Sequence, residues 1–235
     1  MGDRDALIYI YEMTQGHCAG WLIETNWETE KRLNVWHGIK VDEGAHVTDI
    51  VLGSNRMVGE LLETDRLKGL VNIRAMYLDS NFLFGVIPSS ISDLTSIQEI
   101  NLAWNKFTGF IPESLYTLVN LKVLRLDNNE LEGNISDDLG KLRRLRLLNE
   151  CNNKLSGPIP KIGNRLMELR TCELLPGNNF DGDVPKTAAE MKDWREAIGS
   201  DSKRASLRSR ESVAGSRPGS KRLTGARVPR RVTSV

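Results

Sequence analysis

The sequence predicts an α/β repeat: a solenoid with a parallel concave β-sheet, a helical N-terminal cap, a short C-terminal capping helix and a disordered tail. Three observations predict it. The pattern Asn-x-apolar-x-Gly recurs six times, starting at Asn55, Asn81, Asn105, Asn129, Asn153 and Asn178, with spacings of 26, 24, 24, 24 and 25 residues. Ahead of the first four stand short alternating segments: Val47-x-x-Ile50-x-Leu52, Ile73-x-x-Met76-x-Leu78, Ile97-x-x-Ile100-x-Leu102 and Leu121-x-x-Leu124-x-Leu126. Apolar alternation over so few positions marks a half-buried strand. After the glycine comes Ile87-Pro88, Ile111-Pro112, Ile159-Pro160 or Val184-Pro185, with Ile135-Ser136 as the one relative. Proline cannot donate to a ladder, so the chain turns away from the strand there.

Each copy is therefore a strand, a turn and a return segment, and none can bury its apolar face alone. Stacking the copies makes a parallel sheet in front of a continuous leucine core. The recurring asparagine fits a ladder in which side-chain amides satisfy backbone groups at the turn, so these residues read as structural. Two copies depart from the pattern. In the fifth, Glu150 occupies a core slot; an ionised carboxylate there must tilt out, pair or take up a proton, and local distortion is expected. In the sixth, one extra residue precedes Asn178 and Pro176 interrupts the strand, which predicts a frayed terminal coil.

The expected organisation is a cap over residues 1–46, six repeats over 47–186, a capping helix over 187–199 and a basic tail over 200–235. Thr187-x-x-Glu190 is a capping box, Met191, Trp194 and Ile198 share one helical face, and Gly199 supplies the stop.

Composition bounds the function. Apolar residues make up 40% of the chain and charged residues 27%, ordinary for a globular protein. No run of about 18 apolar residues occurs. The start, Met1-Gly2-Asp3-Arg4-Asp5, has no apolar core of a leader. Cys18, Cys151 and Cys172 are too few and too scattered for a disulfide framework. A reducing, cytoplasmic compartment is expected.

A net charge of +1 hides an asymmetry. Residues 1–198 carry 22 Lys and Arg against 29 Asp and Glu, whereas residues 199–235 carry 10 against 2. The latter segment has almost no large apolar residue and is expected to stay disordered. It would attract anionic partners, an acidic membrane surface or nucleic acid among them. Ser206 and Thr233 follow basic residues as phosphorylation sites do. The chain ends Thr233-Ser234-Val235, the form of a PDZ-domain ligand.

No catalytic constellation emerges. His17, His37 and His46 lie outside metal-ligand spacing, the glycines follow the repeat, and no nucleophile pairs with a base. Neither enzyme activity nor a cofactor is expected. The side chains between the strand leucines point out of the concave sheet, and they are the candidate partner-binding residues. Tyr77, Trp104 and Arg125 are of the types enriched at interface hot spots. Asp79 and Asp127 beside them could receive a basic side chain, and Asn101 and Asn149 complete the column. A monomer with a protein partner is the expectation.

The pattern L-x-x-L-x-L-x-x-N-x-L-x-G-x-I-P closely resembles the plant-type leucine-rich repeat over about residues 47–186. The upstream stretch resembles that family's N-terminal cap, with a helix opening at Asp5-Ala6-Leu7 and with Trp27 and Trp36-His37-Gly38-Ile39 ahead of the first strand. In secreted members a cysteine pair staples this cap; here Lys40-Val41 stand where a cysteine would be expected. The resemblance thus implies an intracellular, cysteine-poor member that binds protein on its concave face. Two alternatives stay open: a scaffold tethered by its basic tail to an acidic surface, and a secreted or receptor-type recognition protein from a truncated gene model.

Overall fold

The computed structural model describes residues 2–14, 20–160, 162 and 165–181. Helix α1 (Asp3–Met13) opens with acidic residues in its first turn, where they face the positive end of the helix dipole. Its apolar face buries Ala6, Leu7 and Ile10 against the first coils. Asp3 accepts a hydrogen bond from the Val47 amide at 2.7 Å, tying the helix to the first repeat strand.

The concave sheet has seven strands: β1 (Ile39–Val41), β2 (Val47–Val51), β4 (Ala75–Tyr77), β6 (Glu99–Asn101), β8 (Val123–Arg125), β10 (Leu147–Asn149) and β12 (Thr171–Glu173). Six are parallel repeat strands, as the periodicity predicts. The seventh, β1, comes from the cap and pairs antiparallel with β2. That strand covers the open edge of the sheet, which would otherwise present unpaired backbone groups.

A second sheet escaped the sequence reading. Strands β3 (Val58–Glu60), β5 (Phe82–Val86), β7 (Lys106–Phe110), β9 (Glu130–Gly133), β11 (Lys154–Pro158) and β13 (Asn179–Asp181) pair in parallel between the asparagine turn and the Ile-Pro step. The return segments are short 3-10 turns, such as Ser89–Asp93 and Glu113–Thr117, rather than α-helices.

The asparagine ladder holds the two sheets in register. The Asn129 amide donates to the Leu102 and Leu126 carbonyls, both at 3.0 Å, and its Oδ1 accepts from Phe107 N at 3.0 Å. Asn81, Asn105 and Asn153 repeat the arrangement. Asn55 turns instead to the cap, bonding the Ile23 N–H at 2.7 Å and its carbonyl at 3.0 Å. Replacing Asn129 with Ala strands three backbone groups at once and is expected to cost about 2–4 kcal/mol. Urea unfolding measures it; a cost under about 1 kcal/mol would mean water replaces the amide.

The sixth coil is ordered through Asp181, contrary to the expected fraying. β12 pairs with β10, β13 pairs with β11, and Pro176 offers its carbonyl to Asn152 N at 2.7 Å. The extra residue is absorbed at the turn: Asn178 reaches back four residues to Leu174 O, where Asn81 reaches back three to Leu78 O. The expected capping helix and tail lie outside the described residues.

The cap is closed by an aromatic cluster. Trp21 and Trp27 lie 4.7 Å apart, Trp27 and Trp36 5.1 Å, and Tyr11 sits 4.9 Å from Trp21. The indole N–H groups of Trp21 and Trp27 donate to Thr14 O and His37 O, both at 3.0 Å. Such ring pairs add about 0.5–1.5 kcal/mol each beyond the area they bury.

Glu150 corrects the expectation of distortion. It remains in the leucine slot, fully buried, with neither carboxyl oxygen hydrogen-bonded. The ladder runs through it unbroken, Glu150 N donating to Glu173 O at 2.8 Å. Burial pushes its carboxyl up to about 8, so the group is held protonated at neutral pH.

Candidate binding face

The parallel register stacks Val51, Tyr77, Asn101, Arg125, Asn149 and Glu173 in one column across the concave sheet. This follows from the repeat: each side chain occupies the outward position after the same buried leucine-type residue. Beyond it, Asp79, Ala103, Asp127 and Cys151 form a second column, joined by backbone bonds such as Trp104 N to Asp127 O at 2.9 Å.

Most candidate residues here are engaged with one another. Tyr77 Oη donates to the Glu99 carboxylate. Burial, that hydrogen bond and the nearby charges of Glu99, Asp49 and Asp79 push its phenol up to about 12. Asn101 Nδ2 donates to Asp79 Oδ1 at 2.9 Å. Arg125 reaches Asp127 through Nε at 3.2 Å, and Asn128 donates to the same carboxylate at 2.8 Å. Asn149 is buried, donating to Glu173 at 2.8 Å and accepting from Cys151 N.

Two expectations change. The Asp127 side chain is only 3% exposed and already paired, so it offers nothing to a partner's basic side chain. Asp79 keeps its open side toward Gly53, where an added Cβ would lie 3.0 Å from Oδ1. Arg125 is also structural, because its removal leaves a buried carboxylate without its cation. Arg125→Ala is expected to cost about 1–3 kcal/mol of stability; a melting curve coincident with wild type would show that Asn128 suffices.

Trp104 stands apart. It is 59% exposed and sits at φ 56°, in the left-handed region. The same position in other coils holds Ser54, Ser80, Asn128 and Asn152, at φ 52–57°. The repeat imposes this conformation, and small polar residues tolerate it best. A tryptophan here bears both backbone strain and exposure of a large ring.

The sequence reading also missed an apolar outer face. Phe82, Phe84 and Val86 on β5 and Phe110 on β7 are all exposed on the second sheet. The signal was present as alternation after the asparagine in Asn81-Phe-Leu-Phe-Gly-Val, short enough to be read as turn. Among the described residues, no group of three metal-ligating side chains converges, and no helix is long and apolar enough to cross a membrane.

Residues 71–131 match the family model described as leucine rich repeat. With the two parallel sheets and the asparagine ladder, this match shows a leucine-rich-repeat fold. Among solved structures it is similar to the ectodomain of the receptor kinase GASSHO1/SCHENGEN3 from Arabidopsis thaliana in complex with CASPARIAN STRIP INTEGRITY FACTOR 2. The identity is 28%, with 80% of this chain and 22% of that one covered and a TM-score of 0.68. The PEPR1–AtPEP1 structure is 26% identical over 78% of this chain and 26% of that one, with a TM-score of 0.67. The chain thus spans about a quarter of the length of these two. The BIR2 ectodomain from Arabidopsis thaliana, 22% identical, shares the fold over 79% of this chain and 97% of its own, with a TM-score of 0.65. No curated protein matches the sequence.

Proposed function

We propose that this is a non-catalytic protein-interaction module that holds a partner on its concave face, with Trp104 and Tyr77 as anchors and Asp79 and Asn101 as polar contacts. The observation that carries the reading is Trp104, a large ring kept exposed in a left-handed backbone position that neighbouring coils fill with Ser or Asn. Strain retained at an exposed aromatic residue is the mark of a site that binds something. Arg125, Asp127 and Asn149 support the face from beneath by fixing its polar network. Two of the similar structures are complexes, one with AtPEP1 and one with CASPARIAN STRIP INTEGRITY FACTOR 2.

Affinity capture from the native cell's soluble extract tests the proposal, comparing wild type with Tyr77→Ala plus Trp104→Ala. Arg125 is left in place because its loss would disturb the fold. Partners retained by wild type and lost by the folded double variant are the expected result. The same partners on both proteins would make the face inert.

We further propose a cytoplasmic location, a reading that the construction of the cap supports. Residues 1–46 hold a single cysteine, Cys18, so the cap has no cysteine pair within it, and it is closed by the Tyr11–Trp21–Trp27–Trp36 cluster. Its melting temperature is therefore expected to be the same with and without a thiol reductant. A lower value on reduction would point to a disulfide and to an oxidising compartment.

A further inference from the structure

We propose that the edge where each coil enters the concave sheet is a docking surface for an anionic lipid membrane. Two rows of side chains define this edge. In the first, Arg74, Gln98, Lys122, Arg146 and Arg170 follow one another through backbone bonds of 2.7–2.8 Å, each N–H donating to the carbonyl of the preceding member. Their side chains therefore stack one strand spacing apart, about 4.8 Å. The second row lies three residues upstream and holds Val71, Thr95, Val119, Arg143 and Met167, all exposed.

The charges on this edge are largely unanswered. Arg146 pairs with Glu168 at 2.9 Å, and Lys122 donates to the neutral Gln98 amide. Arg144 donates only to Asn120 Oδ1 at 2.9 Å. Among the described residues, Arg74, Arg143 and Arg170 have neither a hydrogen bond nor an ion pair on their guanidinium groups. Like charges held in a row without counter-ions repel one another, and an anionic surface relieves that repulsion.

The apolar members select the kind of surface. Val71 and Val119 are each 56% exposed and Met167 is 75% exposed, and they alternate with polar or basic side chains along one line. One exposed valine is ordinary; aliphatic side chains interleaved with arginines on one straight edge match the interfacial zone of a bilayer, where alkyl groups enter between headgroups and guanidinium groups meet phosphates. Nucleic acid fits less well. The edge offers no ring on which a base could stack, and phosphate contact alone leaves the valines and methionine unused.

Vesicle co-sedimentation of the full chain tests the inference, with phosphatidylcholine vesicles and with vesicles carrying about a quarter phosphatidylserine. Wild type is expected to sediment only with the anionic vesicles. Arg143→Glu with Arg144→Glu and Arg170→Glu should weaken binding at least tenfold, and Val119→Ser with Met167→Ser should weaken it severalfold, with melting curves unchanged in both. Absence of binding to anionic vesicles overturns the proposal. So does wild-type binding by the arginine variant, which would assign the attraction to the basic segment 199–235. Binding to soluble nucleic acid as tight as to the vesicles, with no effect of the valine and methionine changes, would reassign the edge to a polyanion. Tyr77 and Trp104 are untouched by these variants, so the outcome is independent of the partner-binding test.

Discussion

Glu150→Leu is expected to stabilise the protein, and to do so more strongly at high pH than at low. The carboxyl is fully buried with no hydrogen-bond partner, and burial raises it from 4.5 to about 8. The native state therefore holds a proton that the unfolded chain releases above pH 4.5. Stability is then full below pH 4.5 and falls as pH rises, by about 1.4 kcal/mol per unit, until the native group ionises near pH 8. At pH 7 the accumulated loss is about 3 kcal/mol, a large share of the stability of a small domain. Leu removes the titration and fills the slot as the other coils do. Glu150→Gln separates the two effects, since it abolishes the titration but leaves an unpaired polar group. Urea unfolding of the three proteins at pH 5.5 and 8.5 is the measurement. Most other shifted groups lie outside that window: the carboxyls of Asp42, Glu63, Asp65 and Glu130 are lowered, and Lys68, Tyr9, Tyr11, Tyr77 and Tyr116 are raised above their usual ranges. Burial also raises the Cys151 thiol, which touches the upper end of the window but is common to all three proteins. Equal pH slopes for wild type and Glu150→Leu would show that water or a partner group reaches the carboxyl.

The concave columns were legible because a parallel register turns a sequence period directly into spatial neighbours: Tyr77, Asn101 and Arg125 stack as their spacing requires. The asparagine ladder was legible for the same reason. The second sheet was not, because its strands are brief and follow a turn signal, and Gly85, Gly109 and Gly133 look like turn residues. In fact their positive φ values and missing side chains make room for Glu60, Val86 and Phe110 from the preceding coil. The fate of Glu150 was beyond pattern reading, since a strand with both neighbours already laddered has no freedom to swing one side chain out. The burial of Asp127 was hidden too. An alternating pattern says which way a residue points, but not that Arg125 and Asn128 close over it.

Replacing Trp104 with Asn should move stability and binding in opposite directions. At this position the coil demands φ near 55°, which Asn128 and Asn152 adopt one and two coils further along the same row. Asparagine enters the left-handed region far more readily than tryptophan. The ring is more than half exposed, so little buried area is lost with it. A gain of up to about 1 kcal/mol in unfolding free energy is the expected balance. A replacing amide also lies next in line to the bond between Asn152 Nδ2 and Asn128 Oδ1, 3.0 Å long, and can extend that row by one coil. For binding, the same change removes the largest exposed ring of the concave face. Loss of a central aromatic anchor costs about 2 kcal/mol or more, roughly a thirtyfold fall in affinity. A residue conserving neither backbone comfort nor solubility is explained only by what it contacts, and the paired measurement decides it. Unfolding by urea and partner capture are run on the same preparations. A variant that is more stable and no longer captures its partner marks Trp104 as strain held for binding. A variant that is less stable and still binds would make the ring part of the scaffold, and the anchor would have to be sought on the outer face, at Phe82, Phe84 and Phe110.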